Sequence, residues 1–392
     1  MKRLFILILA LCLFVTGCTN QNSEPHPVTI DKKESQELIG VWITFSELGD
    51  FSQKGFEVEF ENAVKKCIEL GVNNLFVHVR PFCDAVYESK IFPKSKYVGG
   101  YDGDALEFMV NTAHKYGVKI HAWINPYRVS TASNDISTLP DNSPAKMWLS
   151  DESDANDTNV CIIDNGIYLN PASAEVKKLI LSGVREIIEN YAVDGIHLDD
   201  YFYPTTSAAF DEGLYNEYKQ NASVALDLAD WRRQNVNSLI HTLYCAIKAF
   251  NKNIQFGVSP AADIDRCYNE LFADVEAWAH GGYVDYIMPQ LYFGFEYPIQ
   301  KFNFDSLLPI WQAMLDDTNA SLYVGLANYK IGTNTEPDKA EWNKYNDIIS
   351  RQIILLRENK ADGFVFFSYS SLFSDNKLNI EQTQNIKEII KK

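Results

Sequence analysis

Eight short runs rich in Val, Ile, Phe and Tyr alternate along the chain with stretches of helical period, and this alternation limits the possible folds more than any other feature. The runs are Leu38 to Phe45, Asn74 to Arg80, Lys119 to Asn125, Asp194 to Asp199, Ile254 to Ser259, Val284 to Gln290, Leu322 to Ala327 and Gly363 to Phe367. Helical patterns fill 57–70, 104–116, 173–190, 227–250, 269–280, 304–316, 338–359 and 379–391. Strand then helix, eight times, predicts an α/β chain closed into a (β/α)8 TIM barrel, with 38–392 forming one catalytic domain. The connections support this. Most helix-to-strand links are short and carry a glycine, as in Gly71-Val72-Asn73 and Gly117-Val118, whereas the strand-to-helix links 81–103, 126–171 and 201–226 are long. A barrel that elaborates one face has put its working surface at the carboxyl ends of its strands. A doubly wound open sheet would place a glycine-rich phosphate turn after the first strand, and Ser46-Glu47-Leu48-Gly49-Asp50 has no G-x-G-x-x-G.

The N-terminus is expected to be a targeting segment. Lys2 and Arg3 precede the apolar run Leu4 to Val15, which is too short for a spanning helix of about 20 residues, and small residues follow. Val15-Thr16-Gly17-Cys18 resembles a bacterial lipobox, which implies a signal peptide over 1–17, lipidation at Cys18 and a flexible tether over 18–37. The expected location is the cell envelope, outside the cytoplasmic membrane and held to it by the lipid. The other cysteines, Cys67, Cys83, Cys161, Cys245 and Cys267, are scattered without ligand spacing and read mostly as small core residues.

The formal charge of −17, from 35 basic and 52 acidic side chains, argues against a nucleic-acid partner. Neither a G-x-S-x-G elbow, an H-E-x-x-H helix nor a P-loop is present, and His78, His121 and His197 come without an H-x-H pair. No metal or cofactor is therefore expected.

Chemistry-bearing residues gather at the strand ends. The fourth strand runs Asp194-Gly195-Ile196-His197-Leu198-Asp199-Asp200-Tyr201-Phe202-Tyr203, and alternation puts His197 and Asp199 on one face, toward the barrel mouth. Asp199 and Asp200 together suit glycosidic cleavage, where one acid protonates the leaving oxygen and another carboxylate stabilises or attacks the cationic carbon. Both are expected to face a common hollow, with Glu296 as a reserve acid. Arg80, Asp84, His121, Trp123, Asn125, Tyr127, Arg128, His197, Tyr201, Tyr203, Ser259, Asp263, Gln290 and Tyr292 are the candidate substrate contacts, since aromatic faces stack on sugar rings and polar side chains bond their hydroxyls. Asp200 sits where strand becomes loop, so alternation leaves its direction open.

These same runs resemble the glycosyl hydrolase-like 10 family: His78-Val79-Arg80-Pro81 with Asp84-Ala85 and Tyr87, His121-Ala122-Trp123 through Asn125-Pro126-Tyr127-Arg128, Asp194 through Pro204, Gly257-Val258-Ser259-Pro260, and Asp285-Tyr286-Ile287 with Pro289-Gln290-Leu291-Tyr292. The resemblance implies a bacterial envelope or secreted protein with a TIM-barrel catalytic domain. One branch of the family cleaves denuded peptidoglycan strands, those stripped of stem peptides, and a similar activity is implied here. On the substrate so implied, Arg80 or Arg128 is expected to hold the lactyl carboxylate of N-acetylmuramic acid. The alternatives are a barrel that binds wall glycan without turnover and a hydrolase of another extracellular polysaccharide.

Overall fold

The computed structural model describes residues 36–151, 153, 154, 156–333 and 339–391. The expected signal peptide 1–17, Cys18 and nearly all of the tether lie outside the described residues. Glu37–Lys392 forms one compact unit.

Among the described residues there are eleven strands, in chain order β1 (Leu38–Ile43), β2 (Asn74–Arg80), β3 (Lys119–Ile124), β4 (Arg128–Ser130), β5 (Val160–Ile163), β6 (Gly166–Leu169), β7 (Gly195–Leu198), β8 (Gln255–Val258), β9 (Tyr286–Ile287), β10 (Ser321–Leu326) and β11 (Gly363–Phe366). Eight of them close into a parallel barrel in the order β1-β11-β10-β9-β8-β7-β3-β2, the expected (β/α)8 architecture. The ring closes through Leu38↔Gly363 on one side of β1 and Gly40↔Asn74 on the other.

The helices form where amphipathic stripes and caps coincide. Ser173 accepts from the Val176 amide to start the helix Ala174–Asn190, and Asp104 accepts from that of Glu107 to start Ala105–Lys115. The helix Leu228–Phe250 buries Val236, Leu239, Ile240, Leu243 and Ile247 along one stripe, each worth about 1.5–3 kcal/mol relative to exposure. Gly71 adopts φ 97° and closes the turn from helix to β2.

A polar relay runs through the barrel interior. Trp42 Nε1 donates to His197 Nε2 (3.2 Å), so His197 carries its proton on Nδ1, which faces the Tyr286 hydroxyl at 3.1 Å. That hydroxyl lies 3.5 Å from His121 Nδ1, and His121 Nε2 is 3.1 Å from Asn74 Oδ1. Each donor meets an acceptor if both imidazoles are neutral, and burial holds both in that state, pressing His121 to about 3 and His197 well below 6.5. Glycines make the space: a Cβ on Gly195 would sit 2.1 Å from His121 Nδ1, and one on Gly257 2.2 Å from the Tyr286 ring.

Three differences from the sequence reading have local causes. β9 is shorter than the run Val284–Gln290 because Pro289 cannot donate to a ladder; Gln290 rejoins only as isolated bridges to Ala261 and Gly325. The helix expected over 269–280 is two short ones, Ile264–Asn269 and Val275–His280, with Phe272 left-handed between them and Asp274 capping the second. The long link 126–171 holds an antiparallel sheet of order β4-β6-β5, whose hairpin turns at Asp164-Asn165-Gly166. That turn triplet between apolar runs was the legible signal for it. Of the cysteines, Cys67, Cys83 and Cys267 are buried, Cys161 is partly buried and Cys245 is exposed.

Candidate active site

At the carboxyl end of the barrel strands a cavity of about 170 Å3 is lined by Trp42, Thr44, Phe45, His78, Trp123, Arg128, Asp199, Tyr201, Ser259, Gln290, Tyr292 and Phe367. Asp199 follows β7 and is 3% exposed. Its Oδ2 accepts from Trp123 Nε1 at 3.0 Å and Asn125 Nδ2 at 2.8 Å, and its Oδ1 faces the Tyr201 amide at 3.4 Å. β3 therefore supplies the Trp123 clamp and the turn after it supplies Asn125. Burial, and then the neighbouring Asp200 charge, raise the Asp199 carboxyl to about 7, against the opposing pull of Arg128 and these donors. A buried carboxyl titrating there can hold and deliver a proton at neutral pH.

The cavity also presents polar atoms with no protein partner among the described residues: both ring nitrogens of His78 and the Ser259 hydroxyl, while the amide oxygen of Asn125, whose nitrogen bonds Asp199, is likewise unpaired. Buried polar groups are normally bonded, so these are groups waiting for a polar ligand. His78 stacks on Trp123, with centroids 3.7 Å apart and planes 10° from parallel, and burial beside Arg128 and His197 keeps it neutral. Tyr292, Phe367 and Phe45 complete an aromatic wall.

Asp200 and Asp199 do not share this space, which corrects the expectation of a common hollow. Asp200 opens into an adjoining cavity of about 220 Å3, with Arg128, Tyr168, Tyr201, Tyr203 and Arg266 among its walls. Gln290 Nε2 donates to Asp200 Oδ1 at 3.2 Å and to the Ser259 carbonyl at 3.0 Å, which holds Asp200 to one side. The Arg128 guanidinium lies 3.2 Å from the centre of the Tyr201 ring, and both residues line both cavities.

Of the residues singled out in the sequence, Trp123, Arg128, Asp199, Tyr201, Ser259, Gln290 and Tyr292 converge on the central cavity, Asp200 and Tyr203 on its neighbour, and Asn125 orients Asp199. Others stand elsewhere. His121 and His197 belong to the interior relay below the mouth. Tyr127 is buried in the core. Asp84 accepts from the Phe82 amide at 3.0 Å in the loop after β2, and Asp263 caps the helix Ile264–Asn269, with Lys301 at 3.8 Å. Arg80 fails to reach the mouth because the ladder shifts register between His78 and Arg80, reversing the alternation. Its guanidinium instead packs 4.4 Å over the Phe92 ring and against Gly183 of the outer helix layer. Glu296 is exposed: the buried Glu341 carboxylate accepts from the Phe295 and Glu296 amides, turning the side chain out to the Tyr345 hydroxyl at 3.0 Å.

Sequence reasoning missed the rim of β1. Thr44 and Glu47 form a capping box that starts the helix Phe45–Lys54, a signal present as T-x-x-E. Glu47 also accepts from the Ser368 hydroxyl (2.7 Å) and the Ser370 amide (2.6 Å), tying the ends of β1 and β11 together beside the cavity.

A closed (β/α)8 barrel with a proton-holding carboxyl, orphaned polar atoms and aromatic walls at its carboxyl-end mouth defines a carbohydrate-active barrel enzyme. The sequence pattern of the family described as glycosyl hydrolase-like 10 matches residues 37–344, so the chain belongs to that family and is a glycoside hydrolase. It is 31% identical over 390 residues to glycosyl hydrolase YngK of Bacillus subtilis strain 168, covering 91% of this chain and 72% of that one. Against glycosyl hydrolase DigH of Escherichia coli K12 the identity is 29% over 430 residues, covering 96% and 94%. Among solved structures, the PgaB (BpsB) glycoside hydrolase domain from Bordetella bronchiseptica superposes with a TM-score of 0.62 at 11% identity, covering 90% of this chain and 98% of that one, a likeness of fold.

Proposed function

We propose that this enzyme is a lipid-anchored hydrolase of N-acetylated cell-wall glycan, acting on peptide-free peptidoglycan strands with Asp199 as the proton donor. The observation that carries this reading is the composition of the central cavity: Asp199 is the one carboxylate among its lining residues, and burial pushes it up to about 7. Conventional glycosidases place two carboxylates across the scissile bond. With one, the second group must come from elsewhere, and the acetamide of an N-acetylated sugar is a nucleophile the substrate brings itself. Asp199 then protonates the leaving oxygen as the acetamide oxygen attacks the anomeric carbon from the opposite side. Water opens the resulting cyclic intermediate, returning a proton to Asp199. Asp200 acts through its charge, which keeps the Asp199 proton in place. His78 and Ser259 bond the sugar, and Trp42, Trp123 and Tyr292 pack its faces.

Anchoring rests on the basic start, the short apolar run and Val15-Thr16-Gly17-Cys18, which would hold the enzyme beside the wall. The decisive assay incubates the protein with denuded peptidoglycan strands, with chitin oligosaccharides and with peptide-bearing wall, and measures new reducing ends. Cleavage of denuded strands that is lost in Asp199→Asn supports the reading. Full activity in that variant, or saturable binding with no new ends, rejects it. Cys18→Ser releasing the protein from the membrane fraction is the parallel test of the anchor.

A further inference from the structure

The cavity beside the central one has a charge and a shape of its own. Arg128 of β4 and Arg266 of the helix Ile264–Asn269 both face it, against the single carboxylate of Asp200. Both guanidinium charges act on Asp200, so the two cations address the same space. Two positive groups and one negative leave a net positive hollow in a chain whose formal charge is −17. Arg266 has a partner, Glu270 at 3.5 Å, but both side chains are more than half exposed, and such pairs hold their members weakly.

The third wall is an aromatic shelf. Arg128 pairs directly with Tyr168 across β4 and β6, which puts both side chains on one face of the small sheet. The Tyr168 ring lies back along β6 over Gly166, where a Cβ would come within 2.5 Å of it. The missing side chain lets the ring lie flat against the sheet. Arg128 and Tyr201 line both cavities, so this shelf adjoins the Asp199 mouth across that pair.

We infer that this second cavity is a binding subsite for a sugar unit carrying a carboxylate, gripped between Arg128 and Arg266 with its ring face on Tyr168. The inference rests on the glycan-hydrolase reading and adds to it the place where an acidic unit of the strand, next to the one at Asp199, is held.

The test uses one glycan in two forms, a denuded peptidoglycan oligosaccharide and the same oligosaccharide with its lactyl carboxylates converted to amides. Equilibrium binding and initial cleavage rates are measured for both. The acid form should bind about 10-fold more tightly, the scale of one charge-assisted bond. Arg266→Gln should reduce that preference to under about threefold while leaving affinity for the amide form within about twofold. Tyr168→Ala should weaken both forms together. Equal binding of the two forms by the unaltered protein, binding of neither, or a preference untouched by Arg266→Gln overturns the subsite. A charge preference without cleavage would sustain the subsite and reject the hydrolase reading; cleavage without charge preference would do the reverse.

Discussion

The Arg128 guanidinium lies face-on to the Tyr201 ring, 3.2 Å from its centre, and this pair separates the cavity of Asp199 from that of Asp200. Two carboxylates adjacent in sequence are thereby given different surroundings. One is enclosed by Trp123, Asn125 and His78, the other faces two guanidinium groups. Different surroundings are how one fold assigns different roles to like groups.

Asp199→Asn should lower turnover by about 10²–10⁴-fold, the usual worth of a positioned general acid. It should also stabilise the fold at alkaline pH. The folded-state value of about 7 lies above the ordinary 3.8, so the native protein binds more protons than the unfolded chain between those values, and its stability falls as pH rises through that window. The variant escapes this loss. Denaturant unfolding at pH 4 should find the two proteins similar, and at pH 8 should find Asp199→Asn more stable by on the order of 2–4 kcal/mol.

The alkaline limb of the pH–rate profile should respond in opposite directions to the two neighbouring charges. Asp200 raises the Asp199 carboxyl and Arg128 lowers it. Asp200→Asn should therefore move the loss of activity to lower pH, and Arg128→Gln should move it to higher pH. Profiles of kcat/KM for the three proteins check this, and shifts in the same direction would detach Asp199 from the observed titration.

Replacing the 2-acetamido group of the substrate by a hydroxyl should abolish cleavage without abolishing binding, because the attacking oxygen is gone while the aromatic contacts remain. Competition binding with the 2-hydroxyl analogue, alongside a reducing-end assay, separates the two effects. Efficient hydrolysis of the hydroxyl analogue would require a second protein carboxylate at the mouth.

His197→Leu should destabilise the protein by about 2–4 kcal/mol at pH 7, because it strands the Trp42 indole N–H inside the barrel and takes from the Tyr286 hydroxyl its donor, leaving it only His121. Burial holds the folded His197 well below its ordinary 6.5, so the native state binds fewer protons than the unfolded chain and the wild type loses stability as pH falls through 6.5. The deficit of the variant should accordingly narrow toward pH 5 when both are unfolded in urea.

Arg80→Met should leave KM for glycan unchanged. The guanidinium packs on Phe92 outside the barrel wall, its Nε and Nη1 have no acceptor among the described residues, and a thioether of similar length keeps the packing while removing a buried charge. A steady-state measurement on denuded strands suffices to check it.

Period and punctuation in the sequence determined the barrel. Alternating strands, amphipathic helices and glycine at helix ends are local properties, and a run such as Gly195–Leu198 cannot be buried on both faces except in a parallel sheet covered by helices. They also determined that Asp199 faces inward, since neighbouring side chains on a strand must alternate. What only the tertiary structure decided were relationships that cross the sheet. The register shift after His78 sent Arg80 outward, the stacked Arg128–Tyr201 pair parted Asp199 from Asp200, and the space left by Gly195 and Gly257 turned two histidines into core. Each depends on atoms brought together from distant parts of the chain, and local periodicity carries no record of those meetings.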